Sequence, residues 1–142
     1  MSKSQTPDQA RLAAARFLLI DDEPYVRDMT REMLHHLGAE QIFRAGDGGE
    51  GFRETIRIKP DLVFCDVNMK PVNGLEYVAK VRGSKLVSVS ETPIVLLTAD
   101  AHEETVYIAK RLKVDGYLVK PVSAAGLIKY IEHVLKISVR HF

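Results

Sequence analysis

Four apolar runs in this chain each end in a reactive polar residue. Phe17 to Ile20 runs into Asp21 and Asp22, Leu62 to Cys65 into Asp66, Ile94 to Leu97 into Thr98, and Tyr117 to Val119 into Lys120. If these runs are neighbouring parallel strands, their carboxyl ends gather three carboxylates, one hydroxyl and one ammonium at a single edge, where open α/β sheets bind ligands. Carboxylates a few Å apart in a partly desolvated cleft repel one another, which raises a pKa or demands a cation. Apart from Cys65, which lies inside an apolar run, every nearby ligand is a hard oxygen and no His is close in sequence, so Mg²⁺ is favoured over Zn²⁺, and Mn²⁺ can substitute. A Mg²⁺ ion held by few carboxylates keeps open positions that phosphate oxygens commonly fill. A carboxylate can itself attack phosphorus and form an acyl phosphate. The oxygens of the transferred group then need neutralising, and Mg²⁺, the Lys120 ammonium and the Thr98 hydroxyl supply that. Singly, each feature has an ordinary reading: an acidic pair after a strand is commonly a turn and helix cap, and a strand-end Thr or Lys is commonly inert. The four together carry the chemistry.

The elements that must position these residues follow from periodicity. Val26, Met29, Met33, Leu34 and Leu37 share one helical face, so a helix is expected from Glu23 to Leu37 with Gly38 as its C-cap. Gln41 to Ala45 reads as a short strand. A helix with Phe52 and Ile56 inward follows, ended by Pro60, and then the strand Leu62 to Asp66, whose unbroken apolar content suits burial on both faces. Asn73-Gly74 opens a helix with Leu75, Val78 and Ala79 as its buried stripe, and the Ser-rich stretch from Gly83 to Thr92 reads as an exposed connection. Pro93 starts the next strand. Glu103 to Leu112 reads as a helix, Gly116 to Lys120 as a strand, and Ser123 caps a last helix carrying Leu127, Ile128, Ile131, Val134 and Leu135. Five alternating βα units imply a doubly wound α/β fold, with a five-stranded parallel sheet, right-handed crossovers and helices on both faces. Ahead of them, Thr6, Pro7 and Gln9 have the form of a capping box leading into a short helix, the alternative being a frayed tail.

Composition narrows the class. A chain of 142 residues with 46% hydrophobic and 27% charged content is expected to form one globular domain. Its net charge of +1 provides no global field toward nucleic acid or an anionic membrane, so direct nucleic-acid binding is not expected. No run approaches the ~18 apolar residues of a membrane span, and the N-terminus lacks a signal-peptide pattern, so a cytoplasmic protein without membrane insertion is expected. Cys65 lies inside an apolar run and reads as a small buried hydrophobe. His35 and His36 diverge by about 100° around a helix and cannot readily share a metal, and His102, His133 and His141 sit in no metal-ligand pattern. Gly46, Gly48 and Gly49 form no nucleotide-binding fingerprint. Lys110, Arg111 and Lys113 complement the dipole at a helix end.

The segments Leu19-Ile20-Asp21-Asp22-Glu23, Phe64-Cys65-Asp66-Val67-Asn68-Met69, Leu97-Thr98-Ala99 and Val119-Lys120-Pro121 closely resemble the receiver domain of two-component response regulators. The resemblance covers about residues 16–136, leaving 1–15 as an N-terminal extension and 137–142 as a C-terminal tail. It implies the flavodoxin-like strand order 2-1-3-4-5. It implies that Asp66 accepts a phosphoryl group from a histidine kinase or histidine phosphotransfer protein. It further implies Mg²⁺ bound by Asp22 and Asp66, by Asp21 through water, and by the Asn68 backbone carbonyl. By the same resemblance Lys120 pairs with phosphoryl oxygens, the Lys120-Pro121 bond is cis, and Thr98 and Tyr117 are the switch hydroxyl and aromatic. Asn68 and Asp100 match positions that tune dephosphorylation. The implied output is phosphorylation-dependent binding of a downstream protein at the face made by the Glu103–Leu112 helix, the following strand and the last helix, by a stand-alone receiver that is a monomer or a phosphorylation-dependent dimer. One departure is Lys70, which stands before Pro71 where the family often places proline directly after the Met69 position. Two other readings remain open: a Mg²⁺-dependent aspartyl-phosphate phosphohydrolase, and a degenerate receiver serving as a constitutive docking module.

Overall fold

The computed structural model describes residues 5–99 and 103–139, so the expectations placed on Asp100, His102 and His141 lie outside the described residues. Twelve elements follow in order: α1 (Pro7–Ala14), β1 (Arg16–Ile20), α2 (Pro24–Leu37), β2 (Gln41–Ala45), α3 (Gly48–Ile58), β3 (Leu62–Asp66), α4 (Gly74–Arg82), α5 (Val87–Ser90), β4 (Ile94–Thr98), α6 (Glu103–Arg111), β5 (Gly116–Val119) and α7 (Ala124–Leu135). The strands form one sheet in the order β2-β1-β3-β4-β5, and every pairing is parallel.

Alternation along β1 divides the interior in two. Phe17 and Leu19 face a cluster with Leu34 of α2 and Leu127 and Ile131 of α7, whereas Leu18 and Ile20 face a second cluster with Ile58 of α3 and Tyr77, Val78 and Val81 of α4. Period-two side-chain alternation requires this, and it explains why β3 and β4 are buried at all five positions each. The edge strand β5 is only half covered, with Tyr117 and Val119 exposed.

Local chemistry sets the helix ends. Asp47, Asn73 and Ser123 each accept a backbone N–H from the first turn of their helix, and Asn73 completes a capping box with Glu76. Gly38 ends α2 at φ 119°, a conformation that favours glycine.

Three apolar positions expected in the interior are exposed instead: Met29, Ile56 and Ala79. Buried threonines take the inward places on α2 and α3. Thr30 donates to the Val26 carbonyl (3.0 Å) and Thr55 to the Gly51 carbonyl (2.8 Å), so each hydroxyl enters the core satisfied. Thr55 also meets the Tyr77 hydroxyl at 2.6 Å, which lets that phenol enter and turns the inward stripe of α4 onto Tyr77, Val78 and Val81.

The Ser-rich connection contains the short helix α5, anchored by buried Val89. Arg82 stitches this region together. Its guanidinium donates to the carbonyls of Ser90, Thr92, Leu112 and Lys113 at 2.8–3.1 Å and lies 3.7 Å from the Asp115 carboxylate. Asp115 in turn accepts the Ile94 N–H. The lead-in to β4 and the lead-in to β5 are thus held by one side chain.

The leading segment is helical and packed. Thr6 and Gln9 form the reciprocal capping box, and Leu12 is buried in the same cluster as Ile137 and Val139. Arg11 donates to the carbonyl of Leu135 (2.6 Å), and Asp8 accepts the Ser138 N–H (2.9 Å). No described helix is long and apolar enough to cross a membrane.

Candidate functional site

Parallel register delivers the polar strand ends to one edge. Asp21 directly follows β1, Asp66 ends β3, Thr98 ends β4 and Lys120 directly follows β5. Neighbouring strands in register, with Ile20 opposite Cys65 and Thr98 opposite Val119, leave these residues level with one another. The Lys120 N–H donates to the Thr98 carbonyl at 2.7 Å, extending the β4–β5 ladder to the site.

At this edge the Lys120 ammonium lies 3.2 Å from Asp66 Oδ1 and 3.3 Å from Asp21 Oδ2. Both carboxylates are buried, with 4% of each side chain exposed, and Lys120 is mostly covered. Burial is the foremost influence on Asp66 and raises its pKa, Asp21 adds to the rise, and Lys120 and the Asn68 N–H oppose it. For Lys120, burial works to lower the pKa, but the two carboxylates outweigh it and the net shift is upward. The ammonium is therefore held charged between two acids. Cys65, fully enclosed beside them, has its thiol pKa pushed well up, first by burial and then by Asp66 and Asp21. It stays a neutral thiol.

Asp22 and Glu23 stand exposed above the buried pair. One carboxylate oxygen from each of Asp21, Asp22, Glu23 and Asp66 lies within 4.8 Å of the others. This all-oxygen set, with a carboxyl pKa raised by crowding and burial, fits a hard divalent cation and offers nothing for a soft one. Glu23 is the member that sequence reasoning placed only as a helix start. Its N–H caps Asp21 Oδ1 at 2.9 Å, and that short turn is what folds its own carboxylate back toward the cluster.

The loop after β3 is tight. The Asn68 N–H donates to Asp66 Oδ1 (3.3 Å), the Gly74 N–H donates to the Val67 carbonyl (2.9 Å), and a Cβ on Gly74 would stand 2.3 Å from the Asp66 carbonyl oxygen. Glycine is required there by close approach alone. Lys70-Pro71 and Lys120-Pro121 are both cis. Thr98 is buried, and its carbonyl is the one that accepts the Lys120 N–H. Tyr117 lies outside the acidic cluster on the exposed side of β5, 39% accessible, and its carbonyl accepts the Tyr130 hydroxyl at 3.2 Å. His35 is turned away, its ring 3.3 Å from the Ala39 carbonyl.

The sheet order and this edge have a counterpart among known proteins. Residues 17–132 match the model of the response regulator receiver domain. The chain belongs to that family. It is 35% identical over 127 residues to the transcriptional regulatory protein PdtaR of Mycobacterium tuberculosis, an alignment covering 89% of this chain and 60% of PdtaR. The chain thus spans about three fifths of that relative's length. Chemotaxis protein CheY4 of Vibrio cholerae superposes with a TM-score of 0.77 at 31% identity, covering 84% of this chain and 98% of CheY4. The receiver domain of the sensor histidine kinase PA1611 of Pseudomonas aeruginosa, described with a magnesium ion coordinated in its active-site cleft, shares the fold with a TM-score of 0.78 at 23% identity, covering 87% of this chain and 99% of that one. The β2-β1-β3-β4-β5 sheet flanked by helices is therefore the CheY-like, flavodoxin-type receiver fold.

Proposed function

We propose that this receiver is a phosphorylation switch in which Asp66 accepts a phosphoryl group from a histidine kinase or a histidine phosphotransfer protein. The observation that carries this reading is the Lys120 ammonium shared between buried Asp66 and Asp21, inside a four-carboxylate cluster. In the transfer, the phosphorus–nitrogen bond of the donor phosphohistidine breaks and its electron pair returns to the imidazole. An Asp66 carboxylate oxygen forms the new phosphorus–oxygen bond. Asp21, Asp22, Asp66 and the Asn68 carbonyl would hold Mg²⁺, with Mn²⁺ able to replace it, and the ion would supply positive charge against the phosphoryl oxygens. Lys120 is free to swing from the Asp66 carboxylate to a phosphoryl oxygen, and the Thr98 hydroxyl, one strand away, supplies a further donor. The magnesium described in the PA1611 receiver supports the choice of ion.

Output in this reading is protein binding at the face of α6, β5 and α7, where Tyr107, Tyr117 and Val119 are exposed. New contacts to the phosphoryl group bias Thr98 and Tyr117 between two arrangements, a population shift in an unchanged fold. The protein serves as a signalling phosphoacceptor, and any hydrolysis of its own acyl phosphate resets the switch.

The test is labelling with acetyl phosphate, followed by intact mass. Labelling should require Mg²⁺ and be absent in Asp66→Asn. Undiminished label in that variant removes Asp66 from the acceptor role, and multiple turnover on a small phosphomonoester would favour a hydrolase.

A further inference from the structure

Arg27 belongs to neither the carboxylate cluster nor the ammonium pair, yet its side chain ends at the same loop. It lies on the first turn of α2, and helical side chains lean toward the N-terminus, so its guanidinium falls back over the β1–α2 junction. There Nη1 donates to the main-chain carbonyl of Asp21 at 3.0 Å. Among the described residues Arg27 makes no ion pair, although acidic groups stand close by. Its Nε is buried without a protein partner among the described residues, and the side chain lines a cavity of about 10 Å³ with Asp21, Thr30, Phe64 and Leu97.

The hydrogen bonds around Asp21 show what the arrangement gains. The Asp21 N–H is tied to the Ala45 carbonyl (3.1 Å) and its Oδ1 accepts the Glu23 N–H (2.9 Å), both through main-chain groups. Its Oδ2 accepts from Lys120 Nζ (3.3 Å), and its carbonyl is the fourth anchor, where the hydrogen bond comes from the Arg27 side chain. We propose that Arg27 is a positioning residue for the cation site: by holding the Asp21 peptide from behind, it fixes the direction in which the Asp21 and Asp22 carboxylates leave the main chain. The inference rests on the receiver reading of that site.

The sign of the effect separates positioning from charge. A guanidinium near a cluster of carboxylates opposes binding of a divalent cation by Coulomb repulsion, so removing its charge alone would tighten binding. Loss of a group that orients metal ligands weakens binding, typically by tenfold or more. Mg²⁺ titrated calorimetrically into the 142-residue chain, and into Arg27→Ala, Arg27→Gln and Arg27→Lys, decides between them. Each variant is checked for an intact urea transition, so that affinity is read on folded protein. We expect about tenfold weaker Mg²⁺ binding in the Ala and Gln variants and recovery to within about threefold in Lys, which can still donate to the Asp21 carbonyl. Unchanged or tighter binding in Arg27→Ala overturns the proposal, as does a Gln variant equal to the parent. If Arg27→Ala does not fold, the Gln and Lys pair carries the same comparison. Failure of the unsubstituted chain to bind Mg²⁺ overturns both this inference and the receiver reading, whereas equal affinities across a binding series overturn this inference alone.

Discussion

Lys120 Nζ stands 3.2 Å from Asp66 Oδ1 while most of both side chains is covered, so the ammonium acts as counter-ion to the proposed acceptor. Removing one partner from a buried ion pair leaves an uncompensated charge and costs about 3–5 kcal/mol. For Lys120→Met, about 2–4 kcal/mol is expected in EDTA at pH 7, since Lys120 retains some access to water. Excess Mg²⁺ should restore part of the loss by supplying positive charge to the same carboxylates. Urea midpoints with and without Mg²⁺ measure both effects, and a loss that Mg²⁺ leaves untouched would contradict the assignment.

The proposed acceptor itself should be a liability without metal. Burial, then Asp21, hold the Asp66 pKa above its ordinary value. The folded state therefore keeps this proton more tightly than the unfolded chain, and the associated stability is present at low pH and lost as pH rises through the raised value. Asp66→Asn should consequently have a higher urea midpoint than the parent at pH 7 in EDTA, and the advantage should shrink toward pH 3. Saturating Mg²⁺ should narrow it at pH 7, because the parent binds the ion better. Equal midpoints at all pH values would show that the charge is not felt.

Close backbone approach makes Gly74 a test of the loop. A Cβ there would lie 2.3 Å from the Asp66 carbonyl oxygen and 2.9 Å from Val67 Cα, neither of which is a flexible side-chain end. Gly74→Ala should cost about 1–3 kcal/mol and weaken Mg²⁺ binding as well, because the displaced backbone carries Asp66. Stability loss with unaltered Mg²⁺ affinity would mean that the loop yields away from the site.

Arg82 provides the converse. Its hydrogen bonds reach residues leading into β4 and β5, the ends of those strands remote from Asp66 and Lys120. Arg82→Leu should destabilise by about 3 kcal/mol through lost charged hydrogen bonds and an unpaired Asp115, with Mg²⁺ affinity unchanged. A calorimetric Mg²⁺ titration beside a urea series distinguishes the two effects.

The leading helix should contribute measurably to folding. Leu12 is 3% exposed among Leu37, Ile137 and Val139, so Leu12→Ala is expected to cost about 2–4 kcal/mol. A change below about 0.5 kcal/mol, as at a surface position, would indicate that α1 is not docked in solution.

Much of this was legible in the sequence for a definite reason. Strands that end in a functional residue are read from two coincident signals, an apolar run and an abrupt polar stop, and the strands ending at Ile20, Asp66, Thr98 and Val119 carry both. The family motifs then supplied the strand order, which spacing could not. What escaped depended on partners far along the chain. Whether Thr55 or Ile56 points inward was settled by a Tyr77 hydroxyl 22 residues away, and α5 is a single turn whose anchor, Val89, needs a core to reveal it. Glu23 escaped because its role follows from a main-chain turn and not from its spacing. Arg27 carried no sequence signal at all, since an arginine on the first turn of a helix is ordinarily a solvated charge.

The close of α7 bears on mechanics. Lys136 adopts a left-handed conformation (φ 57°), and the next residues are fastened sideways, Ser138 to Asp8 and Val139 to Glu132. The helix beside the proposed output face therefore cannot run on as a straight rod. The chain instead leaves α7 sideways and is tied across the start of α1, so the two ends of the described fold are fastened to each other.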